Sequence, residues 1–391
     1  MSLQRLIMAV FFLQPIAFGC WLPRIPEIQA RLALGPADLA MALLGLPVGT
    51  LLTLPFAGRL VARIGGRATI LYGFMVFLLL VSLPAFATSM PMLFFLLALL
   101  GGALSTVELG LNVEADEIET MAGVQIMSRC HGFWSLGIMA GSLIGAALLA
   151  LRLPPEWSIL GVAGAVLPLA ILVSVRLPRP PVRAPETLAV KPPGLHLPSK
   201  ALLAVSLFVF GITMTEGAIA DWSAVYLKGI FQTTGMTTGI GYTIFALMAA
   251  AGRFAGDAMK GRFGAVTTAR LCGCSSLIGL GIVLLAPNAT TALVGFAAIG
   301  FGVSVGFPLA VTASASIGDR PAAENVAILT FIALAGFLVG PPMIGFVAEV
   351  SNLRIGLATL LPTLCLSLAL THVLAPKASG APKRIVVGEI L

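Results

Sequence analysis

Two long uncharged stretches constrain this chain more than any other feature. The sequence has no Asp, Glu, Lys or Arg between Arg67 and Glu108, and again none between Arg270 and Asp319. A bilayer core ~30 Å thick is crossed by ~20 apolar helical residues. Each stretch is therefore long enough for two crossings joined by a tight turn, and the sequence predicts a membrane protein.

Other uncharged segments bring the predicted crossings to twelve. A crossing that starts at Lys200 carries Glu216 and Asp221. Seven more lie at 6–23, 39–58, 132–151, 157–175, 229–252, 325–348 and 355–376. Helices are expected, because lipid cannot satisfy free backbone polar groups and these segments lack the alternation of a membrane barrel. The predicted fold class is an all-α integral membrane protein with twelve transmembrane helices.

The charge distribution indicates orientation. With 58% hydrophobic and 10% charged residues, the chain does not suit a soluble protein. With both termini in the cytoplasm, only five of the 23 Lys and Arg fall outside: Arg24, Arg31, Arg152, Lys228 and Arg354. We therefore predict a multi-pass membrane protein with both termini cytoplasmic. The net charge of +7 then needs no nucleic acid partner, and we expect a monomer.

A polar, proline-rich segment divides the chain. Residues 176–200 hold seven prolines and five basic residues, a composition that resists helix and sheet. We predict a cytoplasmic linker there, between a six-helix bundle at 1–175 and another at 201–374. Residues 375–391 are predicted to form a cytoplasmic tail.

Two short, basic, glycine-rich turns occupy corresponding places in the two halves. The first reads GRLVARIGGR at 58–67, and the second reads GRFAGDAMKGRFG at 252–264. Such an echo is expected of parallel repeats in a transporter. The two turns contain Gly58, Arg59, Arg63, Gly65, Arg67, Gly256, Asp257 and Arg262.

Over essentially its whole length the chain resembles the major facilitator superfamily. The resemblance rests on the twelve predicted crossings, the linker and the two turns, which are similar to that family's Gly-x-x-x-Asp-Arg-x-Gly-Arg signature. Ala62 stands where the signature aspartate is expected, and Asp257 directly follows Gly256. Segments similar to bacterial permeases related to fucose and rhizopine permeases lie at 21–26, 216–227 and 336–342. The resemblance implies two pseudo-symmetric bundles, a central cavity, alternating access and gating by the turns.

Ionisable residues inside the crossings are candidates for proton coupling, because a charge at the bilayer centre costs a few kcal/mol or more. Glu216 falls somewhat beyond mid-membrane by its distance from Lys200. We expect its carboxylate to be unpaired, in an acidic cavity without an arginine at that depth. Asp221 is rotated by ~140° from Glu216, and it serves either coupling or a structural cap.

The fourth and fifth crossings form a predicted hairpin with its turn near residue 121. Glu108 and Asn112 lie one helical turn apart and share a face. The hairpin places His131 near Asn112 and Arg129 near Glu114, where we predict a salt bridge. His131 is either a buried histidine satisfied by Asn112 or, with Glu108, part of proton transfer, since imidazole changes charge in the physiological pH range.

Six residues are candidates for substrate binding. Aromatic rings within or beside the crossings can stack on a sugar and donate a hydrogen bond, although they also populate membrane interfaces. An amide on the fourth crossing and an arginine just outside the first, if it reaches inward, complete the set. The candidates are Trp134, Trp222, Tyr226, Tyr242, Asn112 and Arg24.

The predicted function is secondary active transport, with proton-coupled import of a small neutral or weakly charged polar solute such as a sugar or polyol. A proton-driven exporter of drugs or metabolites is one alternative, since 22 Phe and 14 Met could line an adaptable pocket. A non-transporting membrane sensor is another. The expected partners are a small-molecule substrate, protons and the lipid bilayer. The sequence carries no enzyme motif, so we expect no catalysis, cofactor or metal.

Overall fold

The computed structural model describes residues 2–124, 126–178 and 198–375. Most of the predicted linker, residues 179–197, and of the predicted tail, residues 376–391, lies outside the described residues. The predictions of a cytoplasmic linker and tail therefore stay predictions.

In the described part of the chain, eleven helices are long and apolar enough to cross a membrane. One of them, Gly235–Leu285, has 51 residues and breaks at Gly264, so it supplies two crossings. The helices are α1 Leu3–Arg31, α2 Pro36–Ile64, α3 Gly66–Phe86, α4 Met90–Ala122, α5 Met127–Ala150, α6 Pro155–Ser174, α7 Lys200–Phe231, α8 235–263, α9 265–285, α10 Ala289–Ala315, α11 Ala322–Val350 and α12 Leu353–Leu374. The predicted fold class of twelve crossings is confirmed.

The two halves, α1–α6 and α7–α12, repeat with a constant offset in residue number at several positions. The start of α4 is capped by Ser89, whose side chain accepts a hydrogen bond from the Met92 N–H. Asn288 caps the start of α10 in the same way, and the interval from Ser89 to Asn288 defines the offset. Capping satisfies backbone donors that a helix start leaves free. The repeat is therefore present in the local chemistry as well as in the order of helices.

The turns after α2 and α8 share one unusual backbone conformation. Gly65 has φ 82° and ψ 161°, and Gly264, which follows it at the same offset, has φ 79° and ψ 164°. Residues with a side chain rarely adopt this φ, so glycine is required where the chain reverses between the two helices. These glycines fix the register in which the two turns correspond.

Arginines bind the ends of two equivalent helices. Arg31 donates to the carbonyls of Ala85 and Ala87 at the end of α3. Arg354 donates to the carbonyls of Leu284 at 3.1 Å and Ala286 at 2.8 Å, at the end of α9. Both carbonyl pairs are related by the offset that relates Gly65 to Gly264. A guanidinium is suited to this place because a helix leaves its last carbonyls unpaired and partly negative.

The loop between α10 and α11 is held in place by the carboxylate of Asp319. Asp319, between α10 and α11, accepts a hydrogen bond from Asn325 Nδ2 at 2.8 Å. Hydrogen bonds from Ser199 and then from Asn325 hold the pKa of Asp319 below its ordinary value. The loop therefore contacts the beginnings of both α7 and α11.

The two halves touch closely on one side of the membrane. The charge pattern predicts this side to be outer, and we call it the predicted outer side. It carries the turns at 32–35, 151–154, 232–234 and 351–352. A Cβ on Gly239 of α8 would lie 2.6 Å from Ala146 Cβ of α5. A Cβ on Gly345 of α11 would overlap Ala40 Cβ of α2. Small residues allow such close helix contact in a membrane.

Three polar contacts join the halves on the same side. Ser142 Oγ of α5 and Thr243 Oγ1 of α8 share a buried hydrogen bond at 2.8 Å. The carboxylate of Glu349, at the end of α11, accepts a hydrogen bond from the Ala37 N–H at the start of α2, at 3.1 Å. Lys228 Nζ of α7 donates to the carbonyl of Pro26 in α1 at 3.3 Å. The halves are therefore held together there by both packing and polar groups.

Candidate functional site: a polar cluster between the halves

An ion pair in the interior of the second half reaches across to the first. Arg253 of α8 donates through NH2 to Glu216 Oε1 of α7 at 2.7 Å, and the two side chains are 26% and 22% exposed. The Nη1 of Arg253 donates to Ser135 Oγ of α5. The guanidinium thus connects an acid of the second half to a hydroxyl of the first.

This pair corrects two expectations about the cavity. Glu216 is not unpaired, and an arginine does reach its depth. Both residues lie at similar distances from the turn at 232–234, Glu216 roughly four helical turns before Phe231 and Arg253 roughly five after Gly235. Antiparallel neighbours equally far from their turn face each other. The hairpin rule applied to α4 and α5 would have revealed the pair in α7 and α8.

His131 lies beside this cluster without joining it through its ring. Its carbonyl accepts the hydroxyl of Ser135, one helical turn later, at 2.9 Å. Its ring is exposed and packs edge-on against Phe11, with centroids 5.5 Å apart. The expected contact with Asn112 is absent from the hydrogen bonds of the described residues. A proton-transfer role for His131 stays a prediction.

Trp134 is tied to the first helix. Its indole Nε1 donates to Gln14 Oε1 at 2.8 Å, and Gln14 is fully buried. Gln14 Nε2 has no hydrogen-bond partner among the residues that the structure describes. Gln14 and Ser135 belong to this polar interior, and sequence reasoning missed both because an amide and a hydroxyl in a crossing carry no charge signal.

Three candidates that carry a carboxylate or an amide remain without partners. Glu108 and Asn112 of α4 and Asp221 of α7 are each half-buried. Across 2–124, 126–178 and 198–375, none of the three makes a hydrogen bond or an ion pair. Their oxygen and nitrogen atoms are therefore available to a solute or a proton.

Tyr242 is the aromatic candidate nearest the charges. It is 6% exposed, and its ring lies 5.6 Å from that of Phe245. The charges of Glu216, Arg253 and Asp221 all act on its hydroxyl. Tyr242 therefore lies at the edge of the same cluster.

Three predicted binding residues are enclosed in packing instead. Trp222 and Tyr226 are 0% exposed, and the Tyr226 hydroxyl donates to the carbonyl of Val283 at 2.6 Å. Arg24 is also 0% exposed and does not reach inward. It donates to Glu27 Oε2, Ser158 Oγ and the carbonyl of Leu153. Tyr226 and Arg24 therefore bond within their own halves, whereas Trp222 Nε1 has no hydrogen-bond partner among the described residues. The substrate-binding roles of all three stay predictions.

The register of the turns corrects the match to the family signature. With Gly264 matched to Gly65, Gly261 corresponds to Ala62, so both halves lack an acid at the aspartate position. Asp257 corresponds to Gly58 and is exposed. A Cβ on Gly256 would meet Val305 Cγ1 at 2.8 Å. The gating roles of these residues stay predictions.

Arg67 has a contact within its own half. It donates to the carbonyl of Val175 at 2.6 Å and that of Ser174 at 3.4 Å, at the end of α6. Glu114 is fully buried, and a Cβ on Gly66, at the start of α3, would lie 3.0 Å from its Oε2. The predicted salt bridge from Arg129 to Glu114 is wrong, since Arg129 is exposed and Glu114 lies against the start of α3.

The remaining arginines of the turns point outward. Arg59 and Arg63, one helical turn apart on α2, are exposed and make no ion pair with any described acid. Arg262, the counterpart of Arg63, lies over the Phe263 ring at 5.2 Å. These side chains are therefore available at the membrane surface.

Comparisons with known proteins agree with this architecture. A sequence model described as the Major Facilitator Superfamily matches residues 7–341. An uncharacterised MFS-type transporter of Yersinia pestis is 31% identical over 348 residues, 88% of either chain. The membrane protein MosC of Rhizobium meliloti is 28% identical over 348 residues, 88% of this chain and 83% of its own.

Solved structures share the fold at low identity. The nucleoside transporter NupG aligns with a TM-score of 0.68 at 14% identity, over 96% of this chain and 98% of its own. A variant of the E. coli fucose:proton symporter FucP aligns at 0.64 and 13%, over 96% and 98%. A bacterial homologue of the human lysosomal transporter Spinster, inward-facing and unoccupied, aligns at 0.70 and 15%, over 95% and 96%.

Proposed function

The chain belongs to the major facilitator superfamily, and from that premise we propose that it imports a small, neutral or weakly charged polar solute together with protons by alternating access. It is a multi-pass membrane transporter by family. The observation that carries the finer proposal is the chain of contacts from Glu216 through Arg253 to Ser135.

Coupling follows from the charges of this chain. A proton on Glu216 removes the negative partner of Arg253, so the 2.7 Å pair weakens. Ser135 belongs to the first half and Glu216 to the second, so the position of Arg253 depends on how the halves meet. A proton taken up at Glu216 is therefore linked to the relative movement of the halves.

The neighbouring groups favour a polar solute. Glu108, Asn112 and Asp221 offer unpartnered acceptors and donors, and the guanidinium of Arg253 is already paired with the Glu216 carboxylate. This balance disfavours a strongly anionic cargo. Polar solutes are also what the names of the nucleoside transporter and the fucose symporter indicate for those proteins. An exporter of greasy drugs would instead be served by a Phe and Met lining.

Glu216→Gln is the test of the coupling role. The amide keeps the shape and most hydrogen bonding but cannot release a proton. In proteoliposomes, we expect the variant to retain solute exchange and to lose accumulation driven by a pH gradient. A thermal-shift screen of sugars, polyols and nucleosides identifies the solute first, because a ligand of the folded state raises its stability.

Glu156→Gln serves as the matched control, because Glu156 pairs with Arg31 inside the first half, away from the cluster and from the contact between the halves. It should keep gradient-driven accumulation. Concentrative uptake by Glu216→Gln at the rate of the unchanged protein would transfer the coupling role to Glu108 or Asp221. Absence of transport in the unchanged protein, with solute binding intact, would favour the sensor alternative.

A further inference from the structure

A groove on the lipid-facing surface of the first half lies apart from the polar cluster. It runs between α2, α3 and α4 and has a volume of about 380 Å³. Tyr72, Val76 and Leu99 line it and are 61%, 51% and 57% exposed. Large exposed apolar side chains on a membrane-spanning helix face lipid, so the groove opens toward the acyl chains.

The length of the groove matches one leaflet. On α2 it extends from Thr53 to Ile64, and on α3 from Thr69 to Leu80. Each interval corresponds to about 16 Å of helix at a rise of about 1.5 Å per residue. Half of a ~30 Å hydrocarbon core is ~15 Å. The groove therefore spans the leaflet on the side of the α2–α3 turn and stops near the bilayer centre.

The walls offer little to a polar ligand. The hydroxyls of Thr69 and Thr106 donate to the carbonyls of Gly65 and Gly102 in their own helices, both at 2.8 Å. These two hydroxyls are therefore not free to bind a ligand, and the Thr69 methyl group packs against Gly110. Gly73 and Gly102 leave side chains out of the lining, which deepens it. An unbranched hydrocarbon chain fits such a surface better than a solute with several hydroxyls.

Basic residues at one end of the groove indicate the headgroup of the lipid that would occupy it. Arg59 and Arg63 precede the α2–α3 turn, next to the lining residues Leu60 and Ile64. Both guanidinium groups are exposed and make no ion pair with an acid among the described residues. Arginine is well suited to phosphate, which it binds with two parallel hydrogen bonds. The basic end thus lies where the headgroup of a lipid in the groove would be.

We propose that the groove between α2, α3 and α4 binds one anionic phospholipid, with an acyl chain along Leu60, Val76 and Ala103 and its phosphate on Arg59 and Arg63. The occupant comes from the leaflet that faces the α2–α3 turn. This site is independent of the transported solute, because its lining shares no residue with the cluster around Glu216.

Native mass spectrometry of the full chain in detergent tests the proposal directly. The protein is titrated with phosphatidylglycerol and, separately, with phosphatidylcholine of the same acyl chains. We expect tighter binding of phosphatidylglycerol. In the double variant Arg59→Gln with Arg63→Gln, this preference should fall about 25-fold, since a basic residue at the membrane surface contributes roughly fivefold.

A groove-filling variant tests the tail independently of charge. Ala103→Phe should lower the binding of both lipids and leave their ratio unchanged. Met75→Phe is its control, because Met75 is exposed on α3 but does not line the groove. Arg262→Gln is the control for charge, because Arg262 is the counterpart of Arg63 in the second half.

Three results would overturn the site. Equal binding of the two lipids by the unchanged protein removes the headgroup argument. An anionic preference that survives the double substitution places the lipid elsewhere. Unchanged lipid binding by Ala103→Phe, with the variant monodisperse and as thermally stable as Met75→Phe, removes the acyl chain from the groove.

Discussion

Polar contacts within each half differ from those between the halves. Within the first half, Arg24 is fully buried and donates three hydrogen bonds. Between the halves, Arg253 and Glu349 contact their partners from half-buried or exposed positions, and one buried hydrogen bond joins Ser142 to Thr243. Buried hydrogen-bonded groups are costly to separate, whereas exposed ones exchange partners with water at little cost. The comparison describes two firm bodies and a contact between them that can open.

Packing shows the same difference. In the first half, Gly141 of α5 lies against the backbone of α1, where an added Cβ would overlap the carbonyl oxygen of Ile16. Between the halves, Gly239 and Gly345 meet Ala146 and Ala40, which are themselves small. Flat surfaces of small residues can part without unlocking long side chains. Alternating access needs such a surface on each side of the membrane.

Gly239→Leu should produce the largest effect on this contact. The new side chain meets the Cα of Ala146 at 2.8 Å, so backbone must move. Overpacking costs about 1–3 kcal/mol, which lowers the population closed on the predicted outer side roughly 5- to 150-fold. We expect faster labelling by a membrane-impermeant maleimide of a Ser142→Cys reporter, which is buried at this contact.

Gly161→Leu is the matched control for that experiment, because nothing lies within 4 Å of the Cβ position at Gly161. In Gly161→Leu, the maleimide should label the Ser142→Cys reporter as slowly as it does without a glycine substitution. Equal labelling in Gly239→Leu would mean that the α5–α8 contact is no part of closure.

Arg24→Gln should act on the body of the first half instead. Loss of its hydrogen bonds to Glu27, Ser158 and Leu153 should cost about 2 kcal/mol of unfolding free energy, as for other charged hydrogen bonds. Thermal unfolding in detergent measures the loss. Arg152→Gln, an exposed arginine on the same side, should leave stability unchanged. A variant with normal stability but weakened solute binding would return Arg24 to the substrate site.

Glu349→Gln should give the smallest change. A carboxylate at a helix N-terminus contributes about 0.3–1 kcal/mol, so we expect labelling of the Ser142→Cys reporter to rise roughly two- to fivefold. Glu156→Gln, which breaks an ion pair with Arg31 inside the first half, should not change it. An increase as large as that of Gly239→Leu would show that the polar contact dominates over packing.

The sequence predicted the crossings better than the site. Uncharged runs placed the twelve helices, and the turn glycines marked the repeat that Gly65 and Gly264 then displayed. The same patterns put Arg253 in a loop and left Glu216 alone, because the hairpin rule was not applied to α7 and α8, where Arg253 lies inside the helix at the depth of Glu216. The hydrogen bond from Tyr226 to the carbonyl of Val283 was also not foreseen, because composition carries no information on helix rotation.

What the sequence determined by itself is which segments enter the membrane and where they turn. Transfer of a helix into lipid sums over its own residues, so hydropathy and charge are sufficient. Which side chains meet was decided by tertiary structure alone. Equivalent carbonyls at the ends of α3 and α9 receive Arg31 from α1 and Arg354 from α12. A helix end demands a donor in either half, but only the packing of neighbouring helices determines which residue can reach it.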